Sequence, residues 1–160
     1  MGPQKEIAVR TAIPEDSTGI LCCLREAFEP YRKAYTPAAF LDTVLTSDTL
    51  VTRLHTMTIF VAAATEGEIV GTIACRRVSE SQGHLRGMAV LPAWHGKGIA
   101  QLLLETAQAE IRTWGCSRVT LNTTQPLERA VQFYRKNGFI ATGAVRDSFG
   151  MPLYEFEKKL

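Results

Sequence analysis

A strand, a glycine turn and the start of a helix follow one another in residues 85–100, and this stretch constrains the fold most. Residues 85–90 are largely apolar, and Pro92 ends the strand because proline cannot donate a hydrogen bond to a central ladder. The spacing beyond Gly98 predicts a helix with one apolar face. The expected core positions of this helix are Ile99, Leu102, Leu103, Thr106, Ala107, Glu110, Ile111 and Trp114.

The turn in this unit, Gly96-Lys97-Gly98, predicts an anion-binding site. The first amides of a helix have no intrahelical partners, and the helix dipole adds positive character there. Glycine allows a phosphate to approach closely, and Lys97 adds a positive charge. A P-loop is excluded because its Gly-x-x-x-x-Gly-Lys-Ser/Thr motif is absent, and Gln101 replaces the third glycine of a dinucleotide-binding loop.

The loop resembles the acyl-CoA loop of the GNAT N-acetyltransferases, whose motif is Gln/Arg-x-x-Gly-x-Gly/Ala after a strand that often ends in Val-x-Pro. Here Val90-Leu91-Pro92 precedes His95-Gly96-Lys97-Gly98-Ile99-Ala100, with His95 where Arg or Gln is usual. The resemblance implies that these six loop residues hold the CoA pyrophosphate. On the loop alone, a simple turn joining strand to helix is the alternative.

A second segment, residues 127–139, resembles the GNAT pattern Asn-x-x-Ala-x-x-Phe-Tyr-x-x-x-Gly-Phe, with Leu127 in place of the asparagine. Tyr134 matches the tyrosine whose hydroxyl many members place near the CoA sulfur. The resemblance therefore implies that Tyr134 is the general acid for the departing thiolate. The alternative is a core tyrosine whose hydroxyl is satisfied within the protein.

The resemblance also implies further site residues. Met88 and Val90, with Ala89 between them, would pair their backbone with the pantetheine arm as if it were an added strand. Asn122, at the end of the next strand, would hold the cofactor or a water. His84 stands where the histone acetyltransferase branch has a glutamate base, and histidine can remove the proton of an ammonium group. A water chain, with His84 facing solvent, is the alternative.

The predicted order of elements is strand, two helices, three strands, helix, strand, helix and two strands, with Pro126 opening the last helix. Residues 47–57 are ambiguous. This order predicts a mixed α/β fold, in which a central, mostly antiparallel sheet of about seven strands is flanked by four helices. It matches the GNAT order, so we expect residues 1–160 to form a single domain whose central strand splays from residues 119–121.

Composition and charge exclude several classes of function. A net charge of +2 is too small to indicate nucleic-acid binding. The longest apolar runs, such as residues 59–64, are too short to span a membrane. The four cysteines lack zinc-ligand spacing, so we expect no metal, reduced thiols and a cytoplasmic protein.

The expected function is transfer of an acetyl group from acetyl-CoA to a primary amine, by direct attack through a tetrahedral intermediate. The alternative is a non-catalytic acyl-CoA sensor or interaction module on the same fold. A homodimer is expected only from the family. The acceptor remains undefined, because the segments that shape its site in this family offer only aromatic and mixed charged residues: Glu29, Tyr31, Arg32, Tyr35, Phe40, Arg146, Asp147 and Phe149.

Overall fold

The computed structural model describes residues 6–124 and 127–160, and its centre is a seven-stranded sheet. The strands are β1 (Ile7–Thr11), β2 (Thr58–Ala64), β3 (Ile69–Arg77), β4 (Gln82–Val90), β5 (Arg118–Thr123), β6 (Ile140–Ser148) and β7 (Met151–Lys159). They lie in the order β1-β2-β3-β4-β5-β7-β6. The β4–β5 pair is parallel and the other pairs are antiparallel, which confirms the predicted mixed, mostly antiparallel sheet.

The helices are α1 (Ser17–Phe28), α2 (Pro37–Val44), α3 (Ser47–Thr56), α4 (Ile99–Thr113) and α5 (Glu128–Lys136). The described residues therefore form five α-helices, and the expected number of four was wrong because the ambiguous segment is helical. Thr46 and Thr49 cap α3 reciprocally, each side chain accepting a hydrogen bond from the other's backbone N–H. The predicted opening of α5 at Pro126 lies outside the described residues.

Helix α4 packs against the sheet on a face that differs slightly from the predicted one. Leu103 and Leu104 are fully buried, whereas Leu102 is 44% exposed. The core face also includes Gln108 rather than Glu110. The helical spacing was correct, but the apolar stripe is wide enough that spacing alone did not show which edge of it faces the sheet.

Helices α4 and α2 lie on opposite faces of β4. A side chain at Gly83 would collide with Ile111 of α4, so this position of β4 faces α4. Because side chains alternate along a strand, His84 and Arg86 project to the other face. Arg86 there forms an ion pair with Asp42 of α2, at 2.6 Å.

Strands β4 and β5 pair only briefly, from Gln82–Arg118 to Leu85–Leu121. Beyond this point β4 continues beside β3 and β5 continues beside β7. The β3–β4 register shifts opposite Gly87, whose φ of +63° lies in the left-handed region. The central strands therefore separate, but only beyond Leu121 and not at residues 119–121 as predicted, since these residues still pair with β4. The separation opens a gap in the middle of the sheet.

The packing of α4 gives a test with a matched control one residue away. Leu103→Ala should lower the free energy of unfolding by about 2–5 kcal/mol, because it leaves a cavity in a fully buried site. Leu102→Ala, at the exposed neighbouring position, should lower it by less than about 1 kcal/mol. Urea unfolding of both variants measures the difference, and similar losses would contradict the observed face of α4.

Candidate active site

A cavity of about 460 Å³ lies where β4 and β5 separate. One half is lined by the end of β4, the glycine loop, the first turn of α4 and the inner side of α5. The other half is lined by the end of α1, by α2, by Arg53 of α3 and by residues of the β6–β7 hairpin. The cavity therefore joins the predicted cofactor loop to the region where we expected the acceptor.

The end of β4 offers backbone groups to this cavity. The Leu91 N–H donates to Val70 O on β3, at 2.9 Å. Since backbone groups alternate in direction along a strand, those of Met88 and Val90 point away from β3, toward the gap. Met88, Ala89 and Val90 all line the cavity. This edge can therefore accept an extended, amide-containing ligand as an added strand.

The glycine loop leaves the N-terminus of α4 open, and we call this open end the anion cradle after its predicted role. Gly98 caps the helix with a φ of +78°, and no side chain caps the helix amides. A Cβ at Gly96 or Gly98 would meet no atom within 4 Å, so the approach to these amides is open. Gly96, Gly98, Ile99 and Ala100 line the cavity together. Such a helix end suits a phosphate group.

Lys97 and His95, the other predicted loop residues, are placed differently from each other. Lys97 is exposed and is not among the residues that line the cavity. His95 lines it and links two elements, with Nε2 3.1 Å from Val90 O and Nδ1 3.0 Å from Arg129 Nη1. Arginine can only donate, so Nδ1 accepts and Nε2 carries the proton that is donated to Val90. The Val90 carbonyl is therefore already engaged by the protein.

Arg129 is a site residue that sequence reasoning missed. It lies on α5, five residues before Tyr134, and it lines the same end of the cavity as the glycine loop. Its link to His95 adds a cation beside the anion cradle. The helical spacing that selected Leu127, Ala130 and Tyr134 could have included it, but a solvated surface arginine would have given the same pattern.

Tyr134 is buried, with 8% of its surface exposed, and it lines the cavity. Phe133 and Phe139 hold its ring in edge-to-face contacts, with centroids 5.4 and 5.5 Å away. No residue in the described part of the chain forms a hydrogen bond with its hydroxyl. Burial raises its pKa, so the phenol carries its proton at neutral pH and is available as a donor.

His84 does not line the cavity. Its Nδ1 lies 2.8 Å from the Thr120 hydroxyl, which also accepts a hydrogen bond from the Gln82 amide. Burial lowers its pKa to about 4, and the positive charges of Arg76, Arg146 and Arg86 act in the same direction. The imidazole is therefore neutral at physiological pH, and its conjugate acid is strong.

Asn122 does not line the cavity either, whereas the next two residues of the chain do. Thr123 and Thr124 line the cavity where β5 ends. Thr123 Oγ1 is buried and has no hydrogen-bond partner among the described residues. A buried hydroxyl without a partner is unfavourable, so it is suited to a ligand that fills the gap. The predicted end of β5 was Asn122, one residue too early. Because side chains alternate along a strand, Asn122 points to the opposite face from Thr123.

The acceptor half of the cavity contains only some of the predicted residues. Tyr31 and Tyr35 line it, and the hairpin contributes Ser148, Met151 and Leu153. Asp42, Arg53 and Arg86 are further polar residues that sequence reasoning missed. The predicted residues that do not line it are Glu29, Arg32, Phe40, Arg146, Asp147 and Phe149.

The described part of the chain shows neither a membrane-spanning helix nor a metal-binding cluster. No helix formed by residues 6–124 and 127–160 is both long and apolar enough to cross a bilayer. The same residues contain no cluster of three or more His, Cys, Asp or Glu side chains that could hold a metal ion. All four cysteines are free thiols, and Cys22 is the exposed one.

Comparison with known sequences identifies the family of this fold. A sequence model described as the acetyltransferase (GNAT) family matches residues 21–139. An uncharacterised N-acetyltransferase of Mycobacterium tuberculosis is 36% identical over 78 residues, which cover 49% of this chain and 50% of the relative. A protein of the same description from Mycobacterium bovis matches equally well. The alignment thus spans about half the length of these curated relatives.

Solved structures share the fold over nearly the whole chain. The PaiA N-acetyltransferase of Thermoplasma acidophilum, solved in complex with coenzyme A, gives a TM-score of 0.80 at 20% identity. It covers 97% of this chain and 99% of that protein. A GNAT acetyltransferase of Staphylococcus aureus also gives 0.80, at 16% identity, with the same coverage. At this identity the comparison establishes the fold.

The burial of His84 predicts a specific dependence of stability on pH. Its pKa is lower in the folded chain, about 4, than the 6.5 of the unfolded chain, so the unfolded state binds more protons between these values. The neutral His84 side chain therefore makes its full contribution to the free energy of unfolding above pH 6.5, and this contribution is lost as the pH falls toward 4. By linkage this loss is about 3 kcal/mol.

His84→Asn removes the titration and keeps a polar group beside Thr120. Between pH 7 and pH 4 the wild-type free energy of unfolding should therefore fall further than that of the variant, as measured by urea unfolding. All other titrating groups are common to the two proteins. Parallel pH profiles would show that His84 is accessible to protons in the folded state.

Proposed function

Because this chain belongs to the acetyltransferase (GNAT) family, we propose that it transfers an acetyl group from acetyl-CoA to a primary amine of a small molecule or a peptide. The observation that carries the proposal is the cavity that joins an anion cradle, a free strand edge and a protonated phenol. The whole of residues 1–160 would form the catalytic domain. A homodimer and a cytoplasmic location stay predictions.

The donor half of the cavity fits acetyl-CoA in three places. The amides at the start of α4, with Arg129 beside them, would hold the pyrophosphate. The β4 edge at Met88 and Val90 would pair with the amides of the pantetheine arm. Thr123 Oγ1, which is buried without a partner among the described residues, would gain one on the far side of the gap. Asn122 and Lys97 lie outside this lining, and their contacts with the cofactor stay predictions.

Tyr134 is proposed to complete the reaction by giving up a proton. Bound acetyl-CoA supplies a thioester, whose carbonyl carbon is attacked by the lone pair of the neutral amine. A C–N bond forms, the C–S bond breaks, and the amine loses one proton. The Tyr134 hydroxyl would donate its proton to the sulfur that leaves, and the proton lost by the amine balances this donation. A phenol whose pKa is raised by burial is in the correct protonation state for this step.

The predicted base role of His84 has less support than the acid role of Tyr134. The imidazole lies outside the cavity lining, and its pKa of about 4 makes it a weak acceptor of an ammonium proton. A water chain, the alternative raised by the sequence, fits this geometry better. His84 therefore stays a prediction, and we propose Tyr134 as the principal side chain that moves a proton.

The anion cradle is tested by placing a negative charge in it. Gly98→Asp should weaken acetyl-CoA binding by at least about tenfold in isothermal titration calorimetry, because a carboxylate would lie against the pyrophosphate. Gly67→Asp is a matched control, since Gly67 also has a positive φ and open space around it but lies in the β2–β3 turn. Equal affinity in the two variants would contradict a pyrophosphate site at this loop.

The acid role of Tyr134 is tested by removing only its hydroxyl. Tyr134→Phe should lower kcat by about 10²- to 10⁴-fold while leaving acetyl-CoA affinity nearly unchanged, because the ring still packs between Phe133 and Phe139. Release of the CoA thiol across a panel of amines measures turnover. Tyr154→Phe, on β7 and outside this cavity, is the control.

The same panel separates an enzyme from a non-catalytic sensor. A wild-type protein that binds acetyl-CoA but releases thiol with none of the amines would favour the sensor. Wild-type turnover by Tyr134→Phe would instead assign this tyrosine to packing alone.

A further inference from the structure

The guanidinium of Arg53 is buried in the acceptor half of the cavity. Arg53 lies in the last turn of α3 and is only 7% exposed, yet it lines the cavity. Its Nη1 is 2.7 Å from the position that a Cβ of Gly87 would occupy, so it fills the space left by that glycine. Gly87 adjoins Met88 on β4, which places the guanidinium close to the proposed donor edge.

No hydrogen bond or ion pair engages this guanidinium anywhere in residues 6–124 and 127–160. A buried arginine is normally paired, because its charge is expensive to remove from water. Arg53 therefore has five N–H donors, in a rigid fork, that the described protein leaves available in the cavity. This is the arrangement expected of a ligand-binding group rather than a structural one.

The charges around Arg53 leave a surplus of one positive charge. The side chains of Arg53, Arg86 and Asp42 line the same part of the cavity. Asp42 is ion-paired with Arg86, at 2.6 Å, and its charge also acts on Arg53 from further away, so the three side chains together carry a net charge of +1. Burial and the Arg86 charge lower the pKa of Arg53 to about 10, which still leaves it charged at neutral pH. A ligand with one negative charge would balance the set.

We propose that Arg53 binds a carboxylate of the acceptor, so that the substrate of this enzyme is an amino acid or another amine that bears a carboxylate. The inference rests on the proposed acetyl transfer and specifies its acceptor. A planar guanidinium matches a carboxylate with two parallel hydrogen bonds. One unbalanced charge fits a carboxylate better than a doubly charged phosphate monoester. The hydroxyls of Tyr31 and Tyr35, in the same half, supply further polar contacts for such a ligand.

The test uses acceptors that differ only in this charge. Glycine, β-alanine and phenylalanine are each compared with their primary amides, by release of the CoA thiol at saturating acetyl-CoA. The amine of an amino-acid amide loses its proton more easily, so intrinsic reactivity works against the expected result. We expect kcat/KM to be at least about tenfold higher for at least one carboxylate than for its amide.

The variants assign this preference to one side chain. Arg53→Met keeps most of the volume and removes the charge, and it should abolish the preference for the carboxylate. Arg53→Lys keeps the charge but lacks the planar fork of the guanidinium, and it should retain part of the preference for the carboxylate. Arg25→Met, at an exposed arginine of α1 outside the cavity, should leave it unchanged. Acetyl-CoA affinity should be the same in all four proteins, which also shows that each variant is folded.

A calorimetric comparison of N-acetylglycine with its amide, in the presence of CoA, adds a readout that does not need turnover. Tighter binding of the carboxylate by the wild type, lost in Arg53→Met, supports the inference. Amide acceptors used equally well or better, or a preference that persists in Arg53→Met, would overturn it and leave the proposed acetyl transfer standing. If acetyl-CoA binds but no amine is acetylated, the proposed function fails, and the calorimetric pair still decides whether Arg53 binds a carboxylate.

Discussion

The site depends on the short parallel pairing of β4 and β5. After Leu85 and Leu121 the two strands separate, and backbone groups of β4 that would bond to β5 are left facing a gap. Buried backbone groups must find partners, so this gap has to be closed by side chains, water or a ligand. His95 closes part of it by donating to Val90 O, and the remainder forms the edge to which we assign the donor. The β-bulge at Gly87, where the β3–β4 register shifts, contributes to this separation because a bulge bends the strand that carries it.

The two halves of the cavity would recognise their proposed ligands by different means. On the donor side most of the proposed contacts are to backbone: the amides at the start of α4 and the strand edge at Met88 and Val90. Such contacts depend on the path of the chain and tolerate many side chains, so one loop motif is enough to indicate them. On the acceptor side the proposed recognition would depend on charged side chains, chiefly Arg53 and the Arg86–Asp42 pair, which come from three different elements. These residues carry no local motif.

This difference explains how far the sequence could be interpreted. The sheet, the glycine loop, α4 and the position of Tyr134 were predicted because each depends on local spacing or on a motif contained in one segment. Helix α3 was left ambiguous because it is polar over most of its length, and Arg53 was missed with it. The environment of His84 was not predicted, because its contact with Thr120 is long-range and two of the arginines that lower its pKa, Arg76 and Arg146, lie in other strands. Leu104 was missed because a helical period does not show which edge of an apolar stripe faces the sheet.

The charges of the acceptor half also bear on how an amine would lose its proton without a strong base. An ammonium group that enters beside Arg53, Arg86 and Asp42 meets one more positive than negative charge, which lowers its pKa and favours the neutral, nucleophilic amine. A carboxylate on the same molecule would be held by Arg53 and would cancel that surplus of positive charge. Close to the carboxylate the pKa of the ammonium group would not be lowered, so the amine has to lie far enough from the carboxylate to be deprotonated by water. Binding and deprotonation therefore make opposite demands on the same arginine, and the separation between amine and carboxylate becomes the property by which this site would select its acceptor.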